Sequence, residues 1–491
     1  MARFETPRSP AASSFSPEFC AARARRRVLA AAILASALGF IDGTIVSNAM
    51  PAIRASIEAS LIEAQWINNA YMLPLSALIL AGGALGDRFG LARIFTIGIG
   101  LFIAASVASA LAPTPETLIA ARALKGIGAA MMVPGSLALI YRAYPPDERG
   151  RAIGQWAAAS AMTTALGPVL GGLLITAAGP ETWRWLFAIN LPLGLIAVWL
   201  LRGAVNEDVG DPGRGVDWVG AGLATLGLGL GAWVLTGLTG EGGPEPAPWG
   251  TAAIGLLIAF VLWEARSAHP MMPLSLFAST RFSAANLATF CLYFALSAVL
   301  FFLPMTVISA WGVSEAAASL AFLPLTAAVA LLSTAMGRLA DRHGPGRLIG
   351  AGSALVAIAY AALAITAPLQ AYWSIVIPLM CIMGFGMALV VAPLSAAVMG
   401  AVSEAQAGAA SGVNNAVSRI AGLVAIAAMG AVAAAGYAAA DGPASFGAPA
   451  EGTAHAVAST AAFQTVAWAT AATSAIAAAI AFLGIRPNQT G

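Results

Sequence analysis

Apolar residues run in stretches of about twenty, broken by short polar intervals, along almost the whole chain. One α-helix crossing a bilayer needs about 20 mostly apolar residues. Fourteen segments meet that need: 28–50, 66–86, 93–112, 116–141, 151–178, 184–202, 216–237, 249–265, 283–309, 315–336, 347–367, 373–396, 408–436 and 458–484. The intervals are short apart from 203–215, 238–248, 266–282 and 437–457, so no soluble domain fits between crossings. The pattern predicts an all-α integral membrane fold of about fourteen transmembrane helices.

Composition agrees. Soluble domains carry about 25% charged residues, whereas this chain has 9% charged and 59% hydrophobic residues, too few charges to cover a soluble surface. A net charge of +2 gives no reason to expect a nucleic-acid partner. Cys20, Cys291 and Cys381 lie far apart in no metal-ligand spacing, and the last two read as packing residues. Residues 1–27 are rich in Pro, Ser and Arg, and the apolar run after them is too long for a signal-peptide core. Residues 1 to about 22 are expected to form a disordered cytoplasmic arm.

Basic residues set the orientation, because cytoplasmic segments are enriched in them. With the N-terminus inside, nineteen of the 24 basic residues fall in inner segments. Only Arg54 and Arg184 fall in outer loops, and Arg122, Lys125 and Arg419 fall within crossings. One crossing more or fewer would invert every downstream loop and erase this asymmetry.

Two inner loops repeat each other. Gly83-Ala-Leu85-Gly-Asp87-Arg88-Phe-Gly90, followed by Arg93, recurs as Gly337-Arg-Leu339-Ala-Asp341-Arg342-His-Gly344, followed by Arg347, each position shifted by 254 residues. The copies are eight crossings apart and share one orientation, which is a parallel repeat of the kind found in carriers built from two related halves. Crossings 7 and 8 then form an insertion, giving a 6+2+6 order. The expected division is a basic arm 1–27, a six-helix bundle 28–202, a linker 203–282 with the two inserted helices, a second bundle 283–486 and a tail 487–491. Within the first copy, Gly83 and Gly90 suit close helix approach and positive φ. Asp87 suits a cap on the third helix or a pairing with a nearby base.

These loops resemble the signature cytoplasmic motif of the major facilitator superfamily, Gly-x-Leu-Ala-Asp-Arg-x-Gly-Arg-Lys. Leu91 and Ala92 stand where its last basic pair is usual, with Arg93 the nearest substitute. Crossing 1, with Asp42-Gly-Thr44, Asn48 and Pro51, is similar to the first-crossing motif of the fourteen-span drug:proton antiporters. Crossing 4 reads Arg122-Ala-Leu-Lys125-Gly126-Ile-Gly128, like the superfamily's Arg-x-x-Gln-Gly-x-Gly motif with Lys125 in place of Gln. Crossing 5 has Gly167-Pro168-Val-Leu-Gly171-Gly172, the core of the motif associated with antiporters; Thr163 replaces its usual upstream glycine, and Gly154 fits the earlier one. The stretch from Trp183 to Gly194 is also typical of this branch. The resemblance is strong over 28–202, fair at 337–347 and weak elsewhere. It implies a major facilitator fold in the cell (inner) membrane, both termini cytoplasmic, with a proton gradient and no cofactor. The implied partners are small-molecule substrates, protons and the bilayer; a periplasmic adaptor is compatible, and the monomer is the expected unit.

Asp42 is the one acidic residue placed well inside a crossing, since Glu264 and Glu315 fall at ends. A charge at bilayer depth costs on the order of 2.5–3.5 kcal/mol, so such residues line cavities or have partners. At the helical rise Asp42 lies about 12 Å from the outer boundary and Arg122 about 9 Å. The matched depths make contact between them an expectation, as a proton-linked switch or as a permanent ion pair fixing helix packing. Lys125 is one turn from Arg122 on the same face. It suits an anionic or zwitterionic substrate group, a desolvated neutral lysine, or a lysine bonded to carbonyls. Arg419, about 16 Å from the inner boundary, is a second cavity candidate or an interhelical fastener with Asn414 and Asn415 beside it. Gly167 to Gly172 reads as a packing and bending device, and Gly126, Gly128, Gly408 and Gly412 as close-packing positions. Trp66, Trp183, Trp185 and Trp249 fit an interfacial belt.

There is no Gly-x-x-x-x-Gly-Lys-Ser/Thr phosphate loop, and His269, His343 and His455 are all placed in loops, so neither an ATP-driven pump nor a metal or haem enzyme has its residues. The reading that remains is a secondary transporter and not an enzyme, exporting small amphipathic compounds in exchange for protons. A dedicated exporter of a metabolite or lipid-like product is the alternative, and a membrane receptor or enzyme the remote one.

Overall fold

The structure is a computed structural model and describes residues 19–485 except 207, 209, 214, 239–244, 404–405 and 449–451. Arg3, Arg8, Arg214 and Arg486, most of the N-terminal arm and the tail 487–491 lie outside the described residues.

Among the described residues fourteen helices are long and apolar enough to cross a membrane: α1 Ala22–Ile57, α2 Leu61–Phe89, α3 Leu91–Ala110, α4 Pro115–Ala143, α5 Pro146–Ala178, α6 Pro180–Leu201, α7 Trp218–Gly237, α8 Pro246–Glu264, α9 Thr280–Ser309, α10 Glu315–His343, α11 Pro345–Leu369, α12 Tyr372–Met399, α13 Ala407–Ala439 and α14 Thr453–Gly484. Many exceed the apolar windows because polar residues cap them beyond the apolar layer. Before α2, the Ser60 hydroxyl accepts from Glu63 N and the Glu63 carboxylate accepts from Ser60 N at 2.7 Å, a reciprocal capping box that starts the helix five residues before Trp66.

The two halves repeat in packing as well as in sequence. In the first half α1 packs on α5 and α6, α4 on α2 and α3, and α3 on α6. In the second, α9 packs on α13 and α14, α12 on α10 and α11, and α11 on α14, each pairing eight helices on. The seam obeys the same relation: α2 meets α13, and α5 meets α10. The inserted α7 and α8 pair with each other, and α7 leans on α2 and α13, where Ala232 joins Leu423 and Ala427.

At the end away from Ala22 and Gly484, called the outer end, one apolar cluster takes residues from both halves, including Ile53, Ile57, Phe301, Phe302 and Phe446. At the inner end the core divides. One cluster joins the first half to its flanks at Phe19, Cys20, Ala24 and Ala204 and takes Ala416 alone from the second, and the other joins the second half to Leu276 and Phe282. The halves are therefore sealed outside and parted inside.

Arg54 locks the seal. Its Nη1 donates to Phe446 O at 2.7 Å, its Nη2 to Ser445 Oγ at 3.2 Å and its Nε to Ala59 O at 3.0 Å, so a cation of α1 holds the α13–α14 loop. Hydrogen bonds to charged groups contribute about 1.5–3 kcal/mol each, and about 1.4 kcal/mol already shifts an opening equilibrium tenfold. In an Arg54→Ala variant, a cysteine at Phe446 is expected to react roughly tenfold faster with an impermeant maleimide. Equal rates would show that Arg54 does not hold the seal.

Four expectations are corrected. Phe19 and Cys20 are buried, with Asn206 N donating to Phe19 O and Arg142 stacked 4.4 Å from the Phe19 ring, so the end of the arm is anchored. Trp183 is wholly buried, edge-on to Phe187 at 5.9 Å, whereas Trp185 and Trp249 are exposed as a belt requires. His455 is not in a loop; it lies buried in α14, paired at 2.7 Å with the Tyr437 hydroxyl. Cys381 is exposed while Cys291 is buried, so only the latter is a core packing residue.

Candidate functional site

The site starts from two glycines. A Cβ on Gly128 would stand 2.8 Å from Gly98 O and Phe102 N of α3, and one on Gly126 would stand 2.6 Å from Pro74 Cγ of α2. Only hydrogen at both positions lets α4 press into the groove between α2 and α3. That approach carries Arg122 and Lys125, one turn apart on α4, into the centre of the first half.

Asp42 of α1 meets them both. Arg122 Nη1 pairs with Asp42 Oδ2, Lys125 Nζ pairs with Asp42 Oδ1, and all three side chains are wholly buried. Arg122 Nε donates to Ile67 O of α2 at 2.9 Å. Aromatic faces close the cluster. The Arg122 guanidinium lies 4.5 Å from the Tyr71 ring centre, and Lys125 Nζ lies 4.6 Å from Phe187 and 4.8 Å from Phe102. Cation–π contacts of this kind strengthen on desolvation. One carboxylate balances two cations, so the buried cluster keeps a positive excess, and removing the Asp42 charge would leave both cations without an anion.

Arg419 lies on the face of α13 that meets α2 and α9. A Cβ on Gly412 would touch Leu80 of α2 at 2.7 Å; one on Gly422 would stand 3.4 Å from Met72 of α2 and 2.9 Å from Ser297 of α9. Its Nε donates to Asn415 Oδ1 at 3.0 Å, a bond within its own helix. Fastening between helices falls to Asn414, whose Nδ2 donates to Asn286 Oδ1 at 3.2 Å and Thr289 Oγ1 at 2.8 Å of α9. Among the described residues nothing lies within 4 Å of a Cβ built on Gly408, so it makes no close helix contact with them.

In the antiporter-type segment of α5, Pro168 lies inside the helix, Gly167 faces Ile41 and Thr44, and Gly171 faces Ile45 of α1. Gly172 would bring a Cβ to 2.5 Å from Glu315 O of α10. The segment therefore packs α5 on its own half and across the outer seam at once.

In the loop motifs, Gly90 and Gly344 both close one helix and open the next with positive φ, +102° and +81°. Gly83 and Gly337 do not serve close approach: a Cβ on the first would meet Pro134 only at 4.0 Å and on the second would meet nothing. The expected cap by Asp87 is also corrected. The α3 N-terminus is capped from the linker by Asp208, whose Oδ2 accepts from Arg93 N at 2.7 Å, while Asp211 N donates to Asp87 O at 2.8 Å. Arg88 stacks 5.3 Å from the Phe89 ring. At the second copy, Asp341, Arg342, Gly344 and Arg347 line an open cavity of about 530 Å³ with Arg281 and His343. The linker's Asp208 and Asp211 bond at the first copy, whereas the second borders the cavity.

Two six-helix halves around buried charges, sealed at one end and parted at the other, define a membrane carrier. The sequence matches the Major Facilitator Superfamily over residues 32–426 and 285–491, and the chain belongs to that family. It is 33% identical over 404 residues to the methylenomycin A resistance protein of Bacillus subtilis, covering 80% of this chain and 85% of that protein. It is 33% identical over 405 residues to the multidrug resistance protein Stp of Mycobacterium tuberculosis, covering 80% and 74%. In fold it resembles an inward-facing bacterial homologue of the human lysosomal transporter Spinster, with a TM-score of 0.67 at 19% identity over 96% of this chain and 97% of that one. The chain is a multi-pass membrane transporter of the superfamily.

Proposed function

We propose that this transporter exports small amphipathic compounds by alternating access, driven by protons that enter through Asp42. The observation that carries this reading is the wholly buried Asp42 held between Arg122 and Lys125. Burial favours the neutral carboxyl, whereas the two cations favour the charged form. A state that separates Asp42 from its cations would therefore take up a proton, and a state that rejoins them would release it. The segment Gly167 to Gly172 then acts at the outer seam, where α5 must part from α10 for cargo to leave.

In this reading the inner end is cytoplasmic, the membrane is the cell membrane, and a single chain is the working unit without a cofactor. Residues 28–202 and 283–486 are the moving halves, with 203–282 carrying the inserted helices. Relatives named for resistance to antibiotics support export of foreign or toxic compounds. A dedicated exporter of one product fits the same geometry.

The test is accumulation of a broad dye and drug panel in an efflux-deficient host expressing the chain, with and without a protonophore. Several panel compounds are expected to accumulate less in expressing cells and to recover with the protonophore. If no compound does so, the multidrug reading gives way to the dedicated exporter.

A further inference from the structure

We infer that the cargo carries a negative charge and that Arg419 is its anchor; this rests on the export reading above and names the class of compound exported. Away from helix ends, the described crossings hold one acidic residue, Asp42, against three basic ones, Arg122, Lys125 and Arg419. Asp42 is already paired with two of these. Among the described residues no carboxylate lies within ion-pair distance of Arg419. A cation kept at this depth without an anion of its own is costly, and such residues mark substrate paths.

Placement points the same way. Arg419 is at the seam, on the stripe of α13 between Gly412 at Leu80 and Gly422 at Met72, and it is only half-buried. Its single hydrogen bond to the described residues runs from Nε to Asn415 within α13, so it does not join helices. The bond fixes the guanidinium plane and leaves both terminal amino groups as a fork. A planar fork of two N–H donors matches a carboxylate or sulfonate, which a lysine matches less well.

The charge balance of the first half points the same way: Asp42 is outnumbered there by Arg122 and Lys125, and the Arg122 guanidinium stacks 4.5 Å from the Tyr71 ring of α2, the helix that α13 meets. A flat ring with an anionic substituent is the ligand this balance favours.

Purified full-length protein in nanodiscs, with no pH gradient, is titrated with three probes sharing one ring: 2-naphthoate, 2-naphthamide and 2-naphthylmethylammonium. Naphthoate is expected to bind at least about tenfold tighter than the amide and the ammonium weakest, as one charged fork implies. In Arg419→Gln, naphthoate should fall to the level of the amide while amide binding stays unchanged. Arg419→Lys should keep part of the preference, which tests the claim even if the Gln variant unfolds. Equal binding of naphthoate and amide, an equal loss of all three probes in Arg419→Gln, or binding of none of them would overturn the inference. The assay is independent of proton coupling: failure of the export reading shows as gradient-insensitive export with the anion preference intact.

Discussion

Asp42→Asn is expected to remove gradient-driven export, by about a hundredfold or more, while leaving a folded protein in the membrane. Asparagine keeps the size of aspartate and one acceptor, so the groove between α1 and α4 stays filled. What goes is the negative charge and the proton it can take up. Arg122 and Lys125 then share one carbonyl oxygen, and the amide N–H group faces a second donor. A buried charge left without its partner costs about 3–5 kcal/mol, so the melting temperature of the variant should fall while its crossings stay in the membrane. The measurement is protonophore-sensitive export in cells beside the quantity of folded protein extracted from the same membranes. Proton-driven export unchanged at normal expression would remove Asp42 from the coupling.

Gly126→Val is expected to have the largest effect on folding. The added Cβ overlaps the backbone carbonyl of Tyr71 and stands 2.6 Å from Pro74 Cγ, and no rotamer moves a backbone atom away. The helices α2 and α4 must part. Parting them pulls Tyr71 from the Arg122 guanidinium and breaks the 2.9 Å bond from Arg122 to Ile67 O. Overpacking a core costs typically about 1–3 kcal/mol, and the lost contacts to a buried cation add to that. Little folded protein should survive extraction, as seen by size-exclusion chromatography and thermal melting. Gly100→Ala is the matched control on α3, where a Cβ meets nothing within 4 Å. Equal behaviour of the two variants would mean that α4 is not seated by its glycines.

The number of crossings, their order and the doubling of the halves were legible because each rests on a one-dimensional signal. Apolar length gives crossings, and the shift from Gly83 to Gly337 gives the repeat. The Asp42–Arg122 contact was legible for a related reason. Depth follows from residue count at a fixed rise, and two lone charges at one depth have strong cause to meet.

Lateral packing was less legible. A membrane helix is apolar on every side, so hydropathy does not say which face meets lipid and which meets protein. Trp183 read as interfacial for that reason, although it closes the core beside Phe187. The aromatic faces of Tyr71, Phe102 and Phe187 around the cations had no distinguishing pattern among so many apolar residues. Arg54 read as an outer-loop base, because its partners Ser445 and Phe446 lie nearly four hundred residues away in a loop without a motif. Asp208 was hidden likewise: one of several acids in a linker, with Glu207 and Asp211 beside it, it shows no sign that it caps α3.

The central claim is that the charge on Asp42 sets which end of the carrier is open, and a distance measurement across both ends tests it most directly. With Cys381 replaced by serine, one spin-label pair at Asp147 and Ser403 reports the inner end, and another at Glu58 and Ser314 the outer end; all four label positions are exposed. Acidification should shorten the inner distance and lengthen the outer one in the otherwise native protein. In Asp42→Asn both distributions should stay fixed across the same pH range. An unchanged pair of distances in the native protein, or a native-like pH response in Asp42→Asn, would contradict the account.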